Sequence, residues 1–554
     1  MNPTRRAARR AGIATFVIVS AVLILNGRAI GSGDTRAVEE TARSLARNGS
    51  FVLPSSDSAD PFTRATEGGR ISIYPPLTAL LATPLFLACG LFFDLDLSGT
   101  QIAGRLVAVF LASIATALLA GTFARRTSAP RALGAAVFFG LGTSVFSTAQ
   151  ALWQHGATLL FLVVAIDAMD RLGAATSDAR RLSMIASVAL SLAAASRPAA
   201  IPMCATLFVF LLSRTRRHFL YALAAAAGPA LLVAAYNARF FGAPWRFGLG
   251  LSGRFLAALP ASIPGLLISP GRGLLVFTPI ALIALVGLWR ASRLESLARG
   301  LLGAALIHTL FIATWNEWHG GESFGPRLLT DMLPALFFYL PEGLEAAPAL
   351  GGLLGAFSIG IQLLGGWTYD YRWERLHQRG RDFDAALWQW SDSPLAFALR
   401  EGVIIQGVPS LDNRALRLQP YRLVPFGREG SSIEPSPQGL FVSGSARARD
   451  IRLERGGRVN GDAFVLSHPL DALAFRALAT EGVNVRVVGH LEGALTIETP
   501  AVSVRVPASG NFDVTVPLDL SSGDDVLVRA ETGELRLRKL EISPTPAVSA
   551  HPPI

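Results

Sequence analysis

Apolar residues in this chain come in long uninterrupted blocks, and that feature constrains the fold more than any other. The blocks 13–25, 106–120, 156–166, 219–235 and 274–288 lie in segments that approach or reach the roughly 20 residues an α-helix needs to cross a bilayer. A soluble chain of 554 residues would divide into three or four domains. Here 51% of the residues are hydrophobic and only 16% are charged, against roughly a quarter charged in soluble domains. The pattern predicts a polytopic α-helical membrane protein and excludes disordered and fibrous chains. Two cysteines, Cys89 and Cys204, both inside apolar segments, exclude a disulfide framework and a thiolate metal site.

The formal net charge is +10, carried almost entirely by arginine, with Lys539 the single lysine. Nucleic-acid binding produces such a balance. The arginines, however, cluster in short loops between apolar blocks, as cytoplasmic loops do, and no basic–aromatic stripe accompanies them. Arg5, Arg6, Arg9 and Arg10 precede the first block and predict a cytoplasmic N-terminus. A cleaved signal peptide is the rival reading of that block, but no small-x-small cleavage site follows it, so a retained helix is preferred. The other basic loops hold Arg125–Arg126–Arg131, Arg171 with Arg180–Arg181, Arg214–Arg216–Arg217, and Arg290 with Arg293. Placing all of them inside gives about eleven spans and makes 77–95 a re-entrant or interfacial helix. The loops 27–76, 153–155, 196–197, 236–273 and 315–327 then lie outside, with everything after Gly366.

Within the external loop 27–76, residues Ala37, Val38, Thr41 and Leu45 share one face of an amphipathic helix that Gly49 stops. Tyr74-Pro75-Pro76 opens the next helix. After the spans, 371–438 is a polar connecting segment with an amphipathic helix near 383–399. From 439 to 542 the period changes: Phe512-Asp-Val-Thr-Val, Asp525-Val-Leu-Val-Arg-Ala and Leu535-Arg-Leu-Arg-Lys-Leu-Glu-Ile alternate apolar and polar residues, which predicts an extracytoplasmic β-sandwich. The Pro-rich tail 543–554 reads as disordered.

Four features on the external side carry chemistry. Asp34, just beyond the first block with Glu39 and Glu40 nearby, suits a general base on an acceptor hydroxyl; capping the helix that follows is its alternative role. Trp153-Gln154-His155 sits between two blocks, where an interfacial aromatic belt is the plainer reading. Arg197 lies between two short apolar segments, where it either snorkels or binds a phosphate bidentately. The run from Trp315 to Arg327 holds two Trp, Glu317, His319, Glu322 and three glycines. Glu317 and His319 are metal-compatible donors, but their spacing is not a helical ligand spacing and no third ligand is evident. No P-loop, dinucleotide fingerprint or His-Glu-x-x-His motif occurs.

The order of these parts resembles the GT-C glycosyltransferases, in particular bacterial members akin to protein O-mannosyltransferases and aminoarabinose lipid A transferases. The resemblance covers about 1–370. It rests on Gly33-Asp34 after the first span, the amphipathic helix, and Tyr74-Pro75-Pro76-Leu77. Tyr236-Asn237-x3-Phe241-Gly242-x-Pro244-x3-Gly248, Gly273-Leu-Leu-Val-Phe-Thr-Pro279 and Gly321-x-Ser323-Phe324-Gly325-Pro326-Arg327 add to it. The resemblance implies transfer of a sugar from a polyprenyl-phosphate-linked donor to a glycan, lipid or protein acceptor of the envelope, on the outer face of a bacterial-type plasma membrane. It implies Asp34 as base or acceptor-orienting group. Gln154 and His155 stand where many members have a second acidic residue, which leaves metal use open: no cofactor is certain, and a divalent metal is compatible. For the donor phosphate the candidates are Arg105, Arg197, Arg272 and Arg327; for the substrates, Glu39, Tyr74, His155, Trp315, Glu317, His319 and Glu322. The alternatives are an inactive GT-C-like scaffold and a polysaccharide or lipid transporter, although no repeat symmetry supports the latter.

Overall fold

A computed structural model of the chain describes residues 3–53, 61–93, 95, 97–173, 178–248, 259–369, 371, 373–374, 377 and 383–401. In the C-terminal region it describes 431–436, 439–443, 451–454, 458–460, 463–466, 472–476, 481–499, 503–520, 525–532 and 535–544. Part of the 27–76 loop, most of the 371–438 segment and the tail from 545 lie outside the described residues. Contacts divide the chain into two units, Met1–Ile404 and Ile405–Ile554.

The first unit is helical. Among the described residues five helices are long and apolar enough to cross a membrane: Arg6–Leu25, Gly99–Arg126, Arg216–Phe241, Ser296–Ala313 and Pro348–Thr368. Shorter apolar helices run over Leu77–Cys89, Ala129–Leu141, Pro198–Arg214 and Ala281–Ser292. Val17, Val209, Leu231, Leu232 and Phe357 stand exposed on these helices, as side chains facing lipid do. Small residues let the helices approach closely: a Cβ on Gly287 would lie 2.1 Å from the Tyr339 carbonyl oxygen, and one on Gly343 2.2 Å from that of Ile283.

Polar contacts sort the helix ends into two groups. At one end Arg126 pairs with Asp170 (2.8 Å), Glu295 (3.0 Å) and Glu342 (3.0 Å), drawing together three loops whose basic residues predicted a common side and the acidic 342–347 loop, which carried no such signal. At the other end Asn26 donates to Gln150 (2.7 Å) and to the Gly366 carbonyl (2.9 Å), while Arg28 donates to the carbonyls of Gly366 and Tyr369. The segment 77–95 starts and finishes at this second end. Its Leu95 carbonyl accepts from Arg43 of the Gly33–Asn48 helix, and Ala79, Ala82 and Phe86 pack with Ala37, Val38 and Ala42 of that helix. The amphipathic helix expected near 383–399 is in two pieces, Phe383–Ala386 and Pro394–Glu401, with Pro394 in the first turn of the second, where proline is tolerated.

In the second unit all pairings among the described strands are antiparallel. Glu481–Glu498 and Ser503–Leu520 form a hairpin paired along its full length. The opposite edge of Glu481–Glu498 is shared by Leu535–Pro544 and Asp525–Thr532 in succession. The expected alternation is present in the first half of Glu481–Glu498, where Val485, Val487 and Leu491 are buried, whereas Ala494, Leu495, Thr496 and Ile497 are all buried. In Leu535–Pro544 the buried phase jumps from Leu535 and Leu537 to Leu540, because a register shift falls between Leu537 and Lys539.

Candidate active site

The site forms at the end of the first unit where residues 26–34 meet 315–327. The Gly33–Asn48 helix begins at Ser32, which has extended backbone and makes no side-chain cap. Asp34 thus sits in the first turn rather than at the cap. Its carboxylate is aligned with the helix dipole, and its oxygens are engaged across the fold: Oδ1 accepts from the Ser32 hydroxyl, and Oδ2 accepts from Arg327 Nη1 at 2.8 Å. Both side chains are largely shielded, at 15% and 13% exposure.

Arg327 is held from three sides. Its Nη2 donates to the Gly320 carbonyl at 2.7 Å, and its guanidinium lies 3.9 Å from the centre of the Trp153 ring. Its Nε has no hydrogen-bond partner among the described residues. Gly320 adopts φ +79°, which places its carbonyl toward Arg327 in a conformation that L side chains rarely adopt. Trp153 is 3% exposed, so it is a platform for Arg327 and not part of an interfacial belt. The cavity lined by Trp153, Glu322, Arg327 and Tyr371 has a volume of about 20 Å³, room for about one water.

A second charged group lies beside the first. Arg197 Nη1 donates to Asp331 Oδ2 at 2.8 Å and lies 2.8 Å from His155 Nδ1, which is itself 2.8 Å from Asp331 Oδ1. All three are buried. Arg197 does not snorkel; it is within Coulomb reach of Asp331, Arg327, Asp34 and Tyr74. One locality thus gathers Asp34, Tyr74, His155, Arg197 and Arg327 from four separate segments. Asp331 completes the group. Its signal was an ionisable residue inside an apolar stretch.

The remaining candidates divide otherwise. Arg105 donates to the carbonyls of Leu23 and Ile24 and to Asn26, capping the first helix's C-terminal carbonyls. Arg272 is fully buried and bound to the carbonyls of Gly271, His319 and Gly321 and to Glu374 at 2.7 Å. It braces the 315–327 loop; its partners are protein groups. Burial pushes the Glu374 carboxyl up, with Arg272 opposing. His319 Nε2 lies 3.3 Å from Glu317 Oε2, and its Nδ1 accepts from Gly321 N. Burial, with Arg272 and Arg327 adding to it, brings His319 down to about 3, so the ring is neutral. Trp315 is half-buried against the core beside this loop, and Glu317 is exposed. Glu39 is buried under the Gly33–Asn48 helix, accepting weakly from Leu152 N at 3.4 Å. Burial pushes it up to about 8. Among the described residues no group of three or more His, Cys, Asp or Glu is arranged to hold a metal ion.

No family model and no curated protein matches the chain. Among solved structures, the chain is similar to ArnT from Cupriavidus metallidurans bound to undecaprenyl phosphate, at 15% identity and TM-score 0.45 over 68% of this chain and 69% of that one. It is also similar to the Archaeoglobus fulgidus oligosaccharyltransferase in its apo form, at 12% identity and TM-score 0.38 over 94% of each chain. A further match is the oligosaccharyltransferase AglB of the same organism in complex with an inhibitory peptide and a dolichol-phosphate, at 10% identity and TM-score 0.39 over 97% and 96%. These proteins are GT-C glycosyltransferases, the superfamily that the short motifs resemble.

Proposed function

We propose that the chain is a multi-pass membrane glycosyltransferase that moves a sugar from a polyprenyl-phosphate donor to an envelope acceptor, on the side of the membrane opposite its N-terminus. The observation that carries this reading is the Asp34–Arg327 ion pair on the Trp153 platform, beside the buried Arg197. Two guanidiniums at the end of an apolar bundle suit a phosphate whose prenyl tail lies in lipid. A carboxylate on an interfacial helix suits an acceptor arriving from water. In the reaction Asp34 takes the acceptor hydroxyl proton as its oxygen bonds to the anomeric carbon. The bond from that carbon to the donor phosphate breaks, and Arg327 and Arg197 stabilise the departing phosphate. Attack opposite the leaving group inverts the anomeric centre. Arg327 must exchange Asp34 for the phosphate, which frees the base when the donor is bound. Eleven crossings, an external C-terminal unit and its two-layer sandwich form belong to the same proposal, supported by the two-ended sorting of the loops and the strand alternation. Substrate orientation by His155, Tyr74 and Glu322 is part of the same proposal.

The test is transfer of radiolabelled sugar from polyprenyl-phosphate donors by purified protein. Asp34→Asn removes the charge while preserving size, and a base role predicts a rate loss of roughly 10²–10⁴-fold. Normal turnover in folded Asp34→Asn protein would remove the mechanism and favour a scaffold.

A further inference from the structure

A cleft of about 730 Å³ opens at the opposite end of the bundle, between the ends of four helices: His155–Leu172, Ala179–Ser196, Ile201–Arg214 and Ser296–Ala313. Its walls combine apolar side chains (Phe210, Leu211, Leu297) with Arg214, Arg216 and Arg217. All three arginines are exposed, and among the described residues none has a carboxylate within ion-pair distance. The acidic residues in the cleft, Asp170 and Glu295, are both engaged by Arg126, at 2.8 and 3.0 Å. The charge left for a ligand is therefore positive.

Two aromatic–arginine pairs set the depth of this cleft. Arg180 lies 5.4 Å from the centre of the Tyr221 ring and Arg293 3.9 Å from that of Trp289, with both aromatics about half exposed. Exposed Tyr and Trp with cations at helix ends mark the headgroup level of a bilayer. An apolar wall below and unengaged arginines above, at that depth, match a lipid with its acyl chain on the wall and its phosphate on the arginines.

We propose that this cleft is a binding site for the phosphate of an anionic phospholipid, separate from the site around Asp34. The ligand is a membrane lipid; free phosphate shares the chemistry of its head but not the apolar contact.

The experiment measures binding to purified full-length protein by native mass spectrometry, with phosphatidylglycerol, phosphatidylcholine and inorganic phosphate as probes. Phosphatidylglycerol should bind on the order of tenfold or more tighter than phosphatidylcholine, and R214Q/R216Q/R217Q should abolish that preference. R290Q/R293Q, which removes charge from the same end outside the cleft, should preserve it. R216K/R217K keeps the charge but loses the bidentate fork, and should weaken phosphatidylglycerol severalfold if the triple variant does not purify. Equal binding of the two lipids, equal loss in both glutamine variants, undiminished affinity in the lysine variant, or inorganic phosphate competing at equal concentration would each overturn the proposal.

Discussion

Glu39→Gln should make the protein more stable at neutral and alkaline pH, and it should flatten the pH dependence of stability. Glu39 is 3% exposed on the inner face of the Gly33–Asn48 helix, and a Cβ on Gly104 would lie 2.7 Å from it, so the carboxyl has no room for its own water shell. Burial is the largest cause that brings it from 4.5 to about 8; the Leu152 amide opposes weakly, and Glu40 adds a little. The folded protein thus holds the Glu39 proton more tightly than the unfolded chain does. Between those two values the folded state carries the extra proton, so stability is greatest below about pH 4.5 and falls as pH rises through 8. The 3.5-unit difference is worth on the order of 5 kcal/mol across the whole window, and about 3 kcal/mol of it is lost by pH 7. Glutamine keeps the acceptor oxygen for Leu152 N and carries no charge to bury. Apparent unfolding temperatures of detergent-purified protein from about pH 5 to 8.5 read this directly. The variant should match the wild type at the acid end and exceed it by several degrees at the alkaline end. Parallel pH profiles would refute the reasoning, because Glu39 would then be ionised and solvated in the fold.

Arg327→Lys keeps the cation but loses the planar fork over Trp153, so a phosphate role predicts a raised donor KM with a smaller change in kcat, read in the same transfer assay. Arg272→Met strands the buried Glu374 carboxylate and should cost about 3–5 kcal/mol, while Arg272→Met with Glu374→Leu should recover much of it in thermal melts. For topology, Glu67→Cys should react with a membrane-impermeant maleimide in intact cells and Arg181→Cys should not, since Cys89 and Cys204 are buried and give little background; the reversed pattern would invert the proposed orientation.

The sequence by itself determined the class of this fold. Apolar block length is a local property of the chain, and so are the basic loops: each prediction needs only the composition of one window. The stop at Gly49, the helix opened by Tyr74-Pro75-Pro76 and the alternation from Phe512 to Ile542 were legible for the same reason, since backbone preference and side-chain period act within a few residues. Asp34 was also legible as a candidate, through its place just outside the first span. Its partner was not. Asp34 and Arg327 are 293 positions apart and Arg197 and Asp331 are 134 apart, and no local rule couples such positions. The four candidate arginines look alike as residues, yet packing sends Arg105 to helix-end carbonyls and Arg272 to Glu374, and leaves Arg197 and Arg327 within Coulomb reach of each other. Trp153 could equally have served an aromatic belt until the fold placed a guanidinium on its face. An arginine's role is decided by which acceptors can satisfy its donors once water is excluded, and only the tertiary structure brings those acceptors within reach.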